Sequence, residues 1–471
     1  MFLVAARADA QCERCDRWIE VDERNLSEGS PGEVVCLRPG RSDGLRVDGV
    51  RGTESEPIRL AACGGERIVA GDGGVGIDLI NTAHFILDGA DLLVIEGFSR
   101  GVFVRGGSEA IEIAGVLFRS LGFLGIDDRS IPPCDGRFER GSFVQRGLWV
   151  HHNRFEDLQS AMYIGELRCT SGVSCPEGRV LPHVIEDVII EHNRMERTAA
   201  TALKIACTPN AVVRNNHVVD YGTSDPRDAE RNGLELREGF TGELTTNVVV
   251  GGFGQAVFVR SESGTRITNN ILIRAGANAI AIGSRSAADR DYWIVHNTIV
   301  TPGERSLASW SGVSRSRFAN NAIVGAGTPI LNGEWLAEGN VEAPTLEELG
   351  VVDEEGTLRR GSPLIGAAIG DGPSVDRYGH RRDEEPDVGA VEFGAGDEDG
   401  GTDGGVDAGL DAGPDAHLGM DAALDAALDT ALDTALDTDA AEAMSSGGCS
   451  PVSAPTGAIA MLLVAWLRRR F

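Results

Sequence analysis

Asparagine recurs along the middle of the chain in a fixed setting, between two short apolar stretches. The segments are WVHHNRF, IIEHNRM, VVRNNHV, LTTNVVV, ITNNILI, WIVHNTI and FANNAIV. They place Asn153, Asn193, Asn216, Asn247, Asn270, Asn297 and Asn321 at successive spacings of 40, 23, 31, 23, 27 and 24 residues. Gly97 and Gly115 are read as the same position in earlier turns, and Asn340 continues it. A second pattern, aliphatic-x-aliphatic followed by a turn, alternates with the first: VFV (102–104), YI (163–164), LKI (203–205), LEL (234–236), VFV (257–259) and IAI (280–282). Strands this short bury nothing alone. Stacked as coils about 4.8 Å apart, they enclose a continuous column of Val, Ile and Leu. An amide side chain at each corner then bonds the coils above and below, so the Asn row is structural and takes no catalytic role. The expectation is an all-β, single-stranded solenoid of about ten coils.

These repeats resemble the right-handed parallel β-helix repeats of the pectate-lyase-like superfamily, over roughly residues 60 to 345. The resemblance implies a right-handed parallel β-helix. SPLIGAA (362–368), Asp376, Gly379, Arg382 and PDVGAVEF (386–393) resemble the closing segment of bacterial surface β-helix proteins. The expected organisation is an N-terminal Cys-containing cap over 12–60, a β-helix over 61–345, and a C-terminal cap over 346–395. A spacer (396–448) and a terminal segment (449–471) follow. Uncapped ends would offer ladder bonds to other chains.

Formal net charge is −29, unevenly spread. Residues 396–448 carry fourteen Asp and Glu and no Lys or Arg, and the body remains moderately acidic. That balance excludes the basic stripe of a nucleic-acid binder. Asp returns every four residues from Asp421 to Asp437, without the Gly and bidentate Glu of a calcium loop, so the stretch is read as a disordered, self-repelling spacer.

The ends point to export. Ala8-Asp9-Ala10 resembles the end of a secretory signal peptide, leaving 1–11 as its remnant. GGCS (447–450), the apolar run Gly457–Leu467 and Arg468–Arg470 resemble the myxobacterial sorting tail known as MYXO-CTERM. That resemblance implies cleavage near Cys449 by a membrane-embedded sorting protease, a membrane contact through the tail, and a place on the outer cell surface. Eleven apolar residues are short for an ordinary spanning helix, which needs about 20.

Eight of the nine cysteines lie in the body: Cys12, Cys15, Cys36, Cys63, Cys134, Cys169, Cys175 and Cys207. In an exported chain the even number favours disulfides, with Cys169 to Cys175 as the one pairing suggested. Metal binding by Cys12-x-x-Cys15 is the competing reading, with no second pair or nearby His to complete it.

Strand alternation turns the middle residues of the aliphatic-x-aliphatic units outward: Phe103, Gly125, Tyr163, Lys204, Glu235, Phe258 and Ala281. Asp127, Asp128, Glu166, Arg237, Glu238 and Arg260 flank them. Aromatic rings among mixed charges suit a sugar chain, with Tyr163, Phe258, Arg260, Glu235, Asp127 and Asp128 as the binding set. Insertions around 134–147, 169–182 and 223–231 would wall a groove. The superfamily resemblance further implies a uronate-lyase arrangement. Lys204, the only lysine in the chain, and Arg237 then carry β-elimination, with Glu166 and Glu238 as Ca²⁺ ligands. A salt-bridged, solvated stripe without ligand is the bland alternative. Clustered Asp for hydrolysis are limited to Asp127-Asp128, which meets the two-carboxylate requirement poorly. The preferred expectation is a surface-anchored protein that binds polysaccharide or cell-surface glycan through this face. A polysaccharide lyase is the alternative.

Overall fold

The computed structural model describes residues 14–394, except 130–143, 167–168, 170–172, 176–177, 224–229, 263 and 284–289. The signal remnant, spacer, tail, Cys12, Cys134 and Cys449 lie outside the described residues. Among the described residues no helix is long and apolar enough to cross a membrane.

Each coil contributes three short parallel strands, one to each of three faces. One coil runs through Val144–His151, Arg154–Leu158 and Ser160–Ile164, and the next through Val184–Glu191, Arg194–Thr198 and Leu203–Ile205. The first pairs with the second residue for residue: Leu148 with Val188, Phe155 with Met195, and Tyr163 with Lys204. The third face stacks eleven strands, from Asn25–Leu26 to Leu307–Ser309. The sequence shows two of the three strands as separate patterns. The strand after each Asn is hidden because it begins one residue past the corner.

Between the first two strands the chain turns through a single left-handed residue. These are His152, His192, Asn215, Thr246, Asn269, His296 and Asn320, with φ between 53° and 58°. Asn and His tolerate this conformation better than β-branched residues, which explains why His and Asn crowd the corner everywhere but Thr246. The next residue is the ladder Asn. Its side chain bridges neighbouring coils: Asn193 Nδ2 donates to Val150 O at 2.8 Å and to Asn216 Oδ1 at 3.0 Å. The chain of amides runs unbroken from Asn153 to Asn340. The expectation for Gly97 and Gly115 needs correction. Leu117 pairs with Arg154, so Gly115 (φ 61°) aligns with left-handed His152 and Val116 aligns with Asn153. Gly97 (φ 77°) belongs to a second left-handed corner, one residue past the pairing of Glu96 with Arg119, where later coils place Ser120 and Asp157.

The three faces enclose one apolar column, from Ile19 and Leu26 to Phe318 and Ile323. The coil starts earlier than expected. Val34–Leu37 pairs in parallel with Arg17–Ile19 and with Ile58–Ala62, so most of the region read as a cap is already wound. The closing segment is also placed differently. Leu349, Val351, Leu358, Leu364, Val388 and Ala390 lie against Ile271, Ile273, Val300 and Val324, on the outside of the second face. Earlier coils carry charges on that outer side (Arg154, Glu156, Arg194, Glu196), whereas the later coils are apolar and gain from being covered. Arg382, 6% exposed, fastens the segment by donating to Asn269 Oδ1, Gly389 O and Glu392. Asp376 receives the backbone N–H groups of Tyr378, His380 and Glu392.

Two disulfides are described, Cys15–Cys36 and Cys169–Cys207. The second replaces the expected Cys169–Cys175 pairing: Cys207 follows Leu203–Ile205, the third-face strand one coil above the strand that leads to Cys169.

Candidate functional site

On the third face the outward residues form one register row: Asp78, Phe103, Asp127, Tyr163, Lys204, Glu235, Phe258 and Ala281. Asp127 occupies the place expected for Gly125. The row faces outward with little of it exposed: Tyr163 is 8% exposed, Lys204 8%, Glu235 0% and Phe258 5%. Strand alternation gives the direction of a side chain, not what other segments lay over it. The chain leaves this face after Asp128 and Ile164 and rejoins it at Leu234. Most of those three insertions lies outside the described residues.

The row is polarised by arginines two residues downstream. The Asp127 carboxylate is clamped from both sides, by Arg100 Nε at 2.6 Å and by Arg129 through Nε and Nη2, both at 2.7 Å. The Arg129 guanidinium then lies over the Tyr163 ring, 4.1 Å from its centroid, a cation–π contact. Burial, reinforced by the charge of Glu166, pushes the Tyr163 hydroxyl well above the usual phenol range, against the pull of Arg129 and Arg237. One coil above, Lys204 Nζ is 3.7 Å from Glu230 Oε2. Next in the row, Glu235 is fully buried with Arg237 Nη2 2.5 Å from Oε1, yet neither carboxylate oxygen receives an aligned hydrogen bond. Desolvation raises its carboxyl, opposed by Arg237, Lys204 and Arg260. Arg260 stacks over Phe258 at 4.6 Å.

Of the expected site residues, Asp127, Tyr163, Lys204, Glu235, Arg237, Phe258 and Arg260 therefore share one face. Asp128 does not. It pairs with Ile164 and points into the core, where Gln145 Nε2 donates to its Oδ2 at 2.6 Å. Glu166 and Glu238 belong to no convergent set of ligating groups among the described residues. Among the described residues, the one set of three convergent ligating groups is Cys15, Cys36 and Cys63, two of them disulfide-bonded. Sequence reasoning missed Arg100, Arg129 and Glu230. Arg129 was within reach, since it lies two residues after Asp127 on the same side of the strand. Glu230 sits in an irregular loop that carries no pattern.

Residues 150–323 match the family described as the right-handed beta helix region. The coil is a right-handed parallel β-helix. No curated protein matches the chain. Among solved structures, an alginate lyase from Paenibacillus sp. str. FPU-7 is 13% identical, with a TM-score of 0.40 over 70% of this chain and 100% of that one. A GH136 lacto-N-biosidase from Eubacterium ramulus is 12% identical, with a TM-score of 0.48 over 66% of this β-helix chain and 62% of that one. The pectate lyase Pel9A is 14% identical, with a TM-score of 0.33 over 82% and 99%.

Proposed function

We propose that the β-helix binds an acidic polysaccharide along its third face and cleaves it by β-elimination at Tyr163 and Lys204. The observation that carries this reading is that Tyr163 and Lys204 are direct register partners on adjacent coils, with Arg129 over the ring and Arg237 within its field. The guanidinium groups neutralise the carboxylate of a uronate, which acidifies the neighbouring C5–H. Lys204 takes the C5 proton on its amine nitrogen; the C4–O bond breaks as the C4=C5 bond forms. Tyr163, held protonated by burial, gives its proton to the leaving oxygen. Solvent returns the proton balance of the two side chains. The ion pair of Lys204 with Glu230 favours a second reading, in which the lysine only anchors a substrate carboxylate and the face binds without cleaving.

Both readings require recognition of the carboxylate. A pectate or alginate chain is expected to bind at least about tenfold more tightly than its carboxyl-reduced counterpart, the worth of one charge-assisted hydrogen bond. Equal affinity, measured by isothermal titration, would remove the acidic-polymer reading.

We infer in addition a surface location. The acidic spacer would hold the rod away from an outer membrane, with the 449–471 segment as sorting signal and membrane contact, processed at Cys449 by a sorting protease. Cys449→Ala is expected to shift the protein from the surface-accessible fraction to an unprocessed cell-associated form. An unchanged distribution and mass would contradict this.

A further inference from the structure

Asp128 is completely buried inside the coil, one residue from the clamp that holds Arg129 over Tyr163. Its Oδ2 accepts from Gln145 Nε2 at 2.6 Å, whereas its Oδ1 and the Oε1 of the same Gln145 have no partner. Gln145 is equally buried. Two acceptor oxygens left over on a bonded carboxyl–amide pair point to a missing proton. A carboxylic acid supplies it: Oδ1–H donates to Oε1 while Nε2–H donates to Oδ2, and the two groups close a ring in which every polar atom is satisfied. An ionised carboxylate would instead bring a charge and an unpaired lone pair into an apolar core.

We propose that Asp128 and Gln145 form a neutral acid–amide pair that fixes the end of the Asp127–Arg129 strand. Its ionisation loosens the Arg129 clamp on Tyr163, so the third face is set by pH. Burial, first, and then the charge of Asp127 raise the Asp128 carboxyl to about 7, against the bond from Gln145. The other charged and titratable groups on the described elements around it are committed elsewhere. Arg100 and Arg129 hold Asp127, Arg105 holds Asp78, Arg146 faces Glu186, and His151 faces Glu112. Tyr163, on the coil above, is kept protonated by its own burial. Once ionised, Asp128 has Arg129 as the nearest cation on its own strand, and moving toward it draws the guanidinium away from the ring. The acid–amide pair stands whether or not the face is a lyase; only the consequence for turnover rests on that reading.

The sign follows from the raised value. The folded state holds the proton more tightly than the unfolded chain, so this group's contribution is complete below about pH 4. It is lost as pH rises to about 7 and is level above that, up to about a thousandfold in the folding equilibrium. Asp128→Asn keeps both hydrogen bonds, because its Nδ2–H donates to Oε1, but cannot ionise. Urea unfolding of the full chain from about pH 5 to 8.5 is expected to show the wild type losing stability relative to D128N as pH rises. Amide exchange over residues 124–129, corrected for intrinsic rate, is expected to quicken above pH 7 in the wild type alone. Parallel pH profiles for the two proteins would overturn the proposal. Should D128N not fold, infrared spectra of the wild type with ¹³C-labelled Asp carboxyls decide. A protonated Asp band present near pH 5.5 and lost by about pH 8 supports the pair, and its absence at the lower pH refutes it.

Discussion

Asn247→Ala is expected to destabilise the β-helix by about 3 to 5 kcal/mol, at the upper end for a single substitution. The residue is fully buried. Its Oδ1 accepts from both the backbone N and the Nδ2 of Asn216, each at 3.0 Å. Its Nδ2 protons are shared among Val213 O and Thr245 O at 2.9 Å and Asn270 Oδ1 at 3.0 Å. Alanine leaves donors and acceptors on two neighbouring coils without water or protein partners, and each such buried group costs about 1 to 3 kcal/mol. Asn340 ends the ladder and is only half-buried, so water can take its place against Asn321 N and Nδ2, which donate to its Oδ1 at 3.0 and 2.8 Å, and against Phe318 O, which accepts from its Nδ2 at 2.7 Å. Asn340→Ala should therefore cost about 1 kcal/mol. Urea unfolding of the two variants measures the contrast. Equal losses would mean that the ladder acts as generic packing and not as a stack of amides each satisfied by its neighbours.

The second large effect concerns chemistry. Tyr163→Phe and Lys204→Gln are each expected to lower the elimination rate by about 10² to 10⁴, the usual worth of a positioned acid or base. Their effects should overlap in the double variant, because groups that act in one transition state are not additive. Tyr163→Phe removes one oxygen and retains the ring under Arg129, so polymer affinity should change less than twofold. Lys204→Gln also releases Glu230, and a loss of affinity as well as rate is expected there. Full activity in Tyr163→Phe would exclude it as the proton donor.

Much of this architecture was legible because each coil repeats the same demand. A corner needs one residue that tolerates a left-handed backbone and then one amide that reaches both neighbours, and the sequence writes His-Asn or Asn-Asn there again and again. The direction of Tyr163, Lys204 and Glu235 followed equally from alternation. Three things were not legible, each for a physical reason. Alternation says that Glu235 points outward but not that it is buried, since burial depends on neighbours outside the periodic strands. Asp127 and Asp128 are neighbours of identical chemistry, and only the register with Tyr163 and Ile164 tells which faces out and which faces the core. Disulfide pairing depends on which coils stack, so Cys169 finds Cys207 a coil away and not Cys175 in its own loop. The side-laid closing segment did leave a trace, in the runs ILI and AIV that turn apolar residues outward as well as inward.

One assay tests the elimination most directly: incubation of the full chain with alginate, pectate and glycosaminoglycans, followed by ultraviolet absorbance of the unsaturated uronate product. The expected result is a rise on at least one uronate polymer that is lost in Tyr163→Phe and Lys204→Gln. No rise on any of them, or a rise that survives both substitutions, would contradict it.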